Sequence, residues 1–322
     1  MNNKNNSSGN FFTSENLNRL SNKRNDEKWI SIQLESPDTL FIPLWGGKNL
    51  INVSNEPDIV SLKKEELKKI FLKELSFTLL GELNGKIYFS VSLDDYNIDI
   101  EKEFSSFGLF ATLRRYAALL NKDLASLLAY SNALSNWQKR HHFCGICGSK
   151  TLLVLGGHRI DCSNPNCNHQ IFPRTDPAII TIIYKDNKCL LVRQSHWQPA
   201  QYALVAGFVE PGESLESAVA REVYEETGIQ ITEIEYFSSQ PWPFPGSIML
   251  GFSAKAVTEK ITLHDKELED AKWMTRKDIV EGLRNKTLKN PTNFSIAFRL
   301  LESWFNLESD EKLSEIISRL NN

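Results

Sequence analysis

Apolar residues recur along this chain first at strand spacing, then at helix spacing, then at strand spacing again. From "WISIQL" to "IYFSVSL", residues 29–93, short apolar runs alternate with turn-like stretches such as "GGKNLINVSNEPD" and "GELNG". That pattern predicts a small mixed domain with substantial β content, interrupted by a helix in "SLKKEELKKIFLKEL". Next, "FGLFATLRRYAALLNKDLASLLAYSNALSNWQKR" keeps helical spacing over more than 30 residues with a break near Asn121, which predicts two packed helices. A compact module follows, and a new domain starts at Asp176–Pro177. It opens with "AIITIIYKDNKCLLVRQS", two β-rich runs around Asp186–Asn187, a hairpin signal. Further on, "SSQPWPFPGSIML" spaces three prolines among aromatics, so residues 238–250 can form neither a regular helix nor a central strand. The resulting division is a disordered or extended start (1–28), a mixed N-terminal domain ending in helices (29–140), a cysteine module (141–173), a larger domain (174–310) and a C-terminal tail (311–322).

At 322 residues, two or three modules are expected. A net charge of -3 gives no general reason to expect nucleic-acid or membrane binding. No apolar run reaches the roughly 18 residues a bilayer demands. The start, "MNNKNNSSGN", lacks the apolar core of a signal peptide, so a cytoplasmic location is expected. In such a chain, four cysteines crowded together point to metal before disulfides. "CGICGSKTLLVLGGHRIDCSNPNC" supplies Cys144 and Cys147 as a C-x2-C knuckle, and Cys162 and Cys167 as a looser pair, with enough chain between for a hairpin. Four soft thiolates around a tetrahedral ion suit structural Zn²⁺, with iron a minor alternative. His141, His142, His158 and His169 read as surface or hydrogen-bonding residues, and Cys189 as core.

The densest chemistry lies in "GFVEPGESLESAVAREVYEETGI", residues 207–229. A glycine-containing loop leads into a helix predicted over Leu215–Thr227, which Gly228 is placed to stop. Glu222, Glu225 and Glu226 fall at i, i+3 and i+4, on adjoining parts of one face. That much negative charge repels itself unless divalent cations resolve it, and oxygen ligands suit Mg²⁺ or Mn²⁺. Arg221 can brace a carboxylate, Glu213 among the choices. A solvated acidic face is the bland alternative for an E-x2-E-E helix alone.

The whole segment matches G-x5-E-x7-R-E-U-x-E-E-x-G-U, with U aliphatic, through Gly207, Glu213, Arg221, Glu222, Val223, Glu225, Glu226, Gly228 and Ile229. It therefore resembles the Nudix hydrolases. "SQPWPFPGS", the ribbon ahead of the catalytic segment and "FPRTDPAII" resemble the NADH pyrophosphatase subfamily, also called NAD-capped RNA hydrolases. The resemblance implies an α+β chain: a mixed N-terminal domain, a zinc ribbon, and a Nudix α/β/α sandwich that hydrolyses a nucleoside diphosphate linked to another group. It implies Glu222 and Glu226 as metal ligands, Glu225 as ligand or proton-handling partner, Glu213 in support, and Glu267 of "HDKELEDAKW" completing the set for Mg²⁺ or Mn²⁺. Expected substrates are NADH or NAD⁺, split to nicotinamide mononucleotide and AMP, and RNA carrying an NAD cap.

On the same resemblance, Phe208 stacks near the nicotinamide, and Phe172 of "QIFPR" reaches across a homodimer interface. Relatives often carry two adjacent aromatics there, where this chain has Ile171–Phe172. Ser239, Gln240 and Ser247 offer directional hydrogen bonds, and Trp242 and Phe244 shape the pocket or pack the loop. Backbone around Ser295 and Ala297 meets the adenine side, or packs in the core. Two other readings stay open: a broader dinucleotide or nucleotide-sugar diphosphatase, and a non-catalytic nucleotide- or RNA-binding module. The complete carboxylate set argues against the second.

Overall fold

A computed structural model of the chain describes residues 6–53, 56–71, 75–96, 98–264 and 267–321. It divides into two compact units. One comprises residues 11–175 with 241–246, the other residues 6–10, 176–240 and 247–321.

In the first unit, α1 (Glu27–Glu35) precedes β1 (Leu40–Trp45), β2 (Lys48–Asn52) and β3 (Asp58–Ile59). Then come α2 (Lys64–Ile70), β4 (Phe77–Leu83), β5 (Lys86–Ser92), α3 (Ile100–Phe104), β6 (Leu109–Ala111), α4 (Leu113–Tyr116) and α5 (Lys122–Lys139). The strands form one sheet in the order β3-β2-β1-β5-β4, with β6 on β2 and a core around Phe41, Leu67, Phe89 and Phe104. Asn121 is the N-cap of α5, its side chain accepting from the Asp123 amide at 2.9 Å. The expected break is therefore there. The expected helix before it shrinks to one α-turn and a 3₁₀ turn, because β6 takes the start of that segment into the sheet.

The ribbon belongs to this unit. Its sheet is β7 (Thr151–Val154), β8 (Arg159–Cys162) and β9 (Gln170–Ile171), with β7 and β8 forming the hairpin. The hairpin tip is anchored by close backbone approach. A Cβ on Gly157, whose φ is +92°, would lie 2.6 Å from Thr78 Cγ2. Gln138 of α5 donates to Gly157 O at 2.8 Å and to Thr78 Oγ1 at 3.0 Å. Beside it His158 is buried, with Nε2 2.5 Å from the Tyr130 hydroxyl, which accepts from Arg24. Burial, with the charges of Arg24 and Arg19, pushes the His158 pKa down from 6.5 to about 4.

A depressed histidine pKa means the unfolded chain takes up a proton that the folded chain refuses. Stability is thus at its full value above pH 6.5 and declines as pH falls toward 4, by about 3 kcal/mol at the limit. Urea midpoints measured from pH 7.5 to 4.5 should show a shallower acid limb in His158→Gln than in the parent. Parallel limbs would remove His158 from the explanation.

The second unit holds β10 (Asp176–Lys185), β11 (Lys188–Gln194), β12 (Val205–Phe208), α6 (Leu215–Thr227), β13 (Ile231–Trp242), β14 (Ser247–Ala256) and β15 (Leu268–Thr275). It ends with α7 (Arg276–Arg284), α8 (Ile296–Asn306) and α9 (Leu313–Asn321). The sheet runs β13-β14-β10-β11-β15, with β12 antiparallel on β10. Alternation along β10 divides the core between the two faces. Ile179 and Ile183 pack with Val219 and Val223 of α6, while Ile180 and Ile182 pack with Leu300 and Trp304 of α8. This is an α/β/α sandwich. Pro241 falls in β13, an edge strand, where a sheet tolerates proline, and Pro243 and Pro245 in the turn after it. Residues 247–250 open β14, an inner strand, which corrects the expectation for that end of the segment, since no proline lies there.

Two terminal expectations need correction. Residues 6–28 are not simply disordered or extended: they include 3₁₀ turns at Asn6–Gly9 and Ser21–Lys23, and Asn10 and Phe12 are 0% and 2% exposed. The C-terminal stretch is the amphipathic helix α9, with Leu313 and Ile316 in the core beside α8, not a tail.

Candidate active site and metal centre

Helix α6 starts where Ser214 accepts from the Ser217 amide at 3.1 Å, and ends at Gly228 with φ +69°. Its bounds are those the apolar spacing predicts. Arg221 organises the acidic face. Its Nε and Nη2 hold Glu213 at 2.6 and 3.0 Å, while Nη1 reaches Glu222 at 2.9 Å and Glu225 at 3.0 Å. The same guanidinium donates to Phe208 O at 2.9 Å, fixing the end of β12. Glu213 also accepts from the Glu210 amide, and these donors hold its pKa down at about 2. Glu213 is thus a permanent anion that orients Arg221.

Glu222 behaves in the opposite way. Burial pushes its pKa up; Arg221 opposes this, and the charges of Glu225 and Glu267 add to it. Its carboxylate lies against the backbone of β12: a Cβ on Gly207 would fall 1.9 Å from Glu222 Cδ. Glu226, one turn further along α6, is 4% exposed, whereas Glu225 and Glu267 face solvent. Among the described residues, the cysteine quartet is the group whose donor atoms all lie within 4.8 Å of one another. The helix carboxylates are not gathered that tightly, since Glu222 and Glu225 are held by Arg221.

The ribbon sulfurs of Cys144 and Cys167 are 3.8 Å apart, and those of Cys147 and Cys162 3.4 Å. A tetrahedral site with Zn–S of ~2.3 Å has edges of about 3.8 Å. Backbone amides of Ile146 and Asn164 point at the Cys144 and Cys162 sulfurs from 3.4 Å, as thiolates require. The quartet fits a structural zinc ion.

The remaining predicted residues fall into separate places. Ser295 and Ala297 line a cavity of about 310 Å³ with Tyr202, Lys289, Asn290 and Thr292. Ser295 also caps α8 by accepting from the Phe298 amide at 3.2 Å. Phe208 and Phe172 are both about 60% exposed. Ser247 begins β14 opposite Asp176.

Gln240, expected to offer directional hydrogen bonds, makes two of them to the protein's own backbone. It is fully buried, donating to Phe294 O at 2.8 Å and accepting from the Ile296 amide at 2.7 Å. It thereby ties β13 to the segment that carries Ser295. Trp242 and Phe244 pack edge to face, centroids 5.2 Å apart, with Phe12 against both and Arg114 4.8 Å from the Phe244 ring. Sequence reading missed Phe12, Asn10 and Arg114. The one faint signal was the pair Phe11–Phe12 inside an otherwise polar stretch.

Comparison with known proteins agrees along the chain. Residues 174–295 match the profile of the NUDIX domain, residues 139–172 that of the NADH pyrophosphatase zinc ribbon domain, and residues 38–137 that of the NADH pyrophosphatase-like rudimentary NUDIX domain. The NAD-capped RNA hydrolase NUDT12 of Homo sapiens is 30% identical over 92% of this chain and 74% of its own length. The NAD-capped RNA hydrolase NudC of Pasteurella multocida is 36% identical over 73% and 82%, and that of Stutzerimonas stutzeri 36% over 66% and 75%. Among the described residues, no helix is long and apolar enough to cross a membrane.

Proposed function

The chain belongs to the Nudix hydrolases, in their zinc-ribbon NADH pyrophosphatase branch, and on that premise we propose that it hydrolyses the pyrophosphate of NADH or NAD⁺ to nicotinamide mononucleotide and AMP. The observation that carries this reading is the acidic cluster at α6, where Arg221 orders Glu213 of the preceding loop with Glu222 and Glu225 of the helix, and the Glu222 pKa is raised by burial and by neighbouring negative charge. Such a field suits a hard divalent cation. Glu222, Glu225, Glu226 and Glu267 would hold Mg²⁺ or Mn²⁺, which when bound neutralises pyrophosphate charge and makes water nucleophilic near neutral pH.

The chain's own residues do the rest. Glu213 stays ionised and keeps Arg221 aligned, so Glu222 and Glu225 keep their places. The 310 Å³ cavity, with Ser295 and Ala297 in its wall, is large enough for a heterocyclic base. Phe208 offers an exposed face for stacking, and Trp242 and Phe244 shape the recognition segment. RNA that begins with NAD presents the same bond, so the enzyme also removes that cap and leaves a 5′-monophosphate. It acts as a cytoplasmic homodimer in which Phe172 completes the partner's pocket.

The test is a product-resolved comparison of NADH, NAD⁺, ADP-ribose and NAD-capped RNA at equal concentration with Mg²⁺ or Mn²⁺. Nicotinamide mononucleotide plus AMP, and monophosphate RNA, are expected. Equal rates on ADP-ribose and NADH would shift the reading to a broader diphosphatase. No turnover with either metal would end the hydrolase reading.

A further inference from the structure

The N-terminal segment, to which the sequence assigns no role, is bound to the "SQPWPFPGS" motif by side chains. β13 is the edge of its sheet, so outward backbone groups on it need partners from elsewhere. At Ser239 both are supplied by the N-terminus. The Ser239 amide donates to Ser7 Oγ at 3.1 Å, and the Asn10 side-chain amide donates to Ser239 O at 2.6 Å. Asn10 also donates to Ser238 Oγ at 3.2 Å, and both residues are fully buried. Arg299 of α8 donates to the Asn10 side-chain oxygen Oδ1, and Gly9 makes room for it: a Cβ there would be 2.6 Å from the guanidinium.

Two residues later, Phe12 meets Trp242 and Phe244 edge-on at 6.3 and 5.9 Å, with interplanar angles of 72° and 77°. Phe12 adopts φ +66°, a left-handed conformation that an L-residue holds only where its surroundings require it. A loose tail would not contain a buried amide with several partners and a strained, buried aromatic. These contacts fix the backbone of the motif at Ser239 and the facing of its two rings.

We infer that residues 7–12 form a positioning strap that pre-orders the "SQPWPFPGS" motif and so sets affinity for the nicotinamide half of the substrate. None of these residues is a catalytic residue; they act through the motif. Pre-ordering a recognition segment lowers the ordering cost of binding, so its loss appears in KM rather than kcat. The inference rests on the NADH reading above for its kinetic arm only.

Two substitutions in the full-length chain test it. Asn10→Asp keeps the size and the Arg299 contact but removes both donations to β13. Phe12→Leu keeps an apolar filler but removes the ring. In each, KM for NADH should rise by roughly tenfold with kcat within about twofold, while ADP-ribose, which lacks the nicotinamide, is hydrolysed as before. Amide hydrogen exchange over residues 238–244 should accelerate, with the melting transition close to that of the parent. Unchanged exchange there would overturn the strap, as would an equal loss on NADH and ADP-ribose. If the parent does not hydrolyse NADH, the functional reading fails, and the exchange measurement still decides the strap.

Discussion

Glu226→Gln should lower hydrolysis of NADH by about 10³-fold or more while leaving the fold intact. Glu226 is 4% exposed and lies one turn along α6 from Glu222. The amide has nearly the same shape, so the packing around it survives. What is lost is one negative charge from a face that carries three glutamates within five residues. Glutamine keeps the volume and the hydrogen-bonding capacity of the side chain, so the melting temperature should stay close to that of the parent. Single-turnover kinetics together with thermal unfolding separate the effects. Near-normal turnover would take Glu226 out of the reacting set, and a large drop in melting temperature would make it a packing residue.

Gly207→Ala should cost about 100-fold in kcat although the substitution looks mild. The backbone at Gly207 is in register with Ile179 across an antiparallel pair and does not need a left-handed conformation, so alanine is permitted there. The difficulty is the new methyl group, 1.9 Å from Glu222 Cδ, which the carboxylate must vacate. Displaced Glu222 loses its Arg221 contact and its orientation. The alanine variant should therefore be folded and nearly inactive. Adding Gly207→Ala to Glu222→Ala should cause little further loss, because both act through one carboxylate. Additive losses would show that the glycine serves the strand instead.

The site was readable where one side chain has one job, and hidden where a polar group serves the protein's own backbone. Helix α6 carried its chemistry in spacing: Val219 and Val223 in the core, glutamates at i, i+3 and i+4, Gly228 at the end. The ribbon was readable because four thiols so close together have few other uses in this setting. The "SQPWPFPGS" motif was visible, but Gln240 looks the same in a sequence whether its amide meets ligand or, as here, the backbone of Phe294 and Ile296. The N-terminal strap was hidden for the same reason. "SSGNFF" has the composition of a loose tail, and only the distant Ser238, Ser239 and Arg299 make Asn10 a core residue. In α9 the amphipathic pattern is present, but nine residues make a weak signal on their own.

The distribution of sulfur also decides where oxidative damage falls. Cys189 is fully enclosed in the sheet and its thiol is pushed up to about 12, so it is an inert nucleophile. The other four cysteines of the chain all sit in the ribbon, with Cys147 at the surface. Peroxide or an alkylating reagent therefore meets zinc ligands first, and the lesion is loss of a fold-supporting ion, while the carboxylate chemistry of α6 is untouched by either reagent. The ribbon is the chain's redox-vulnerable part.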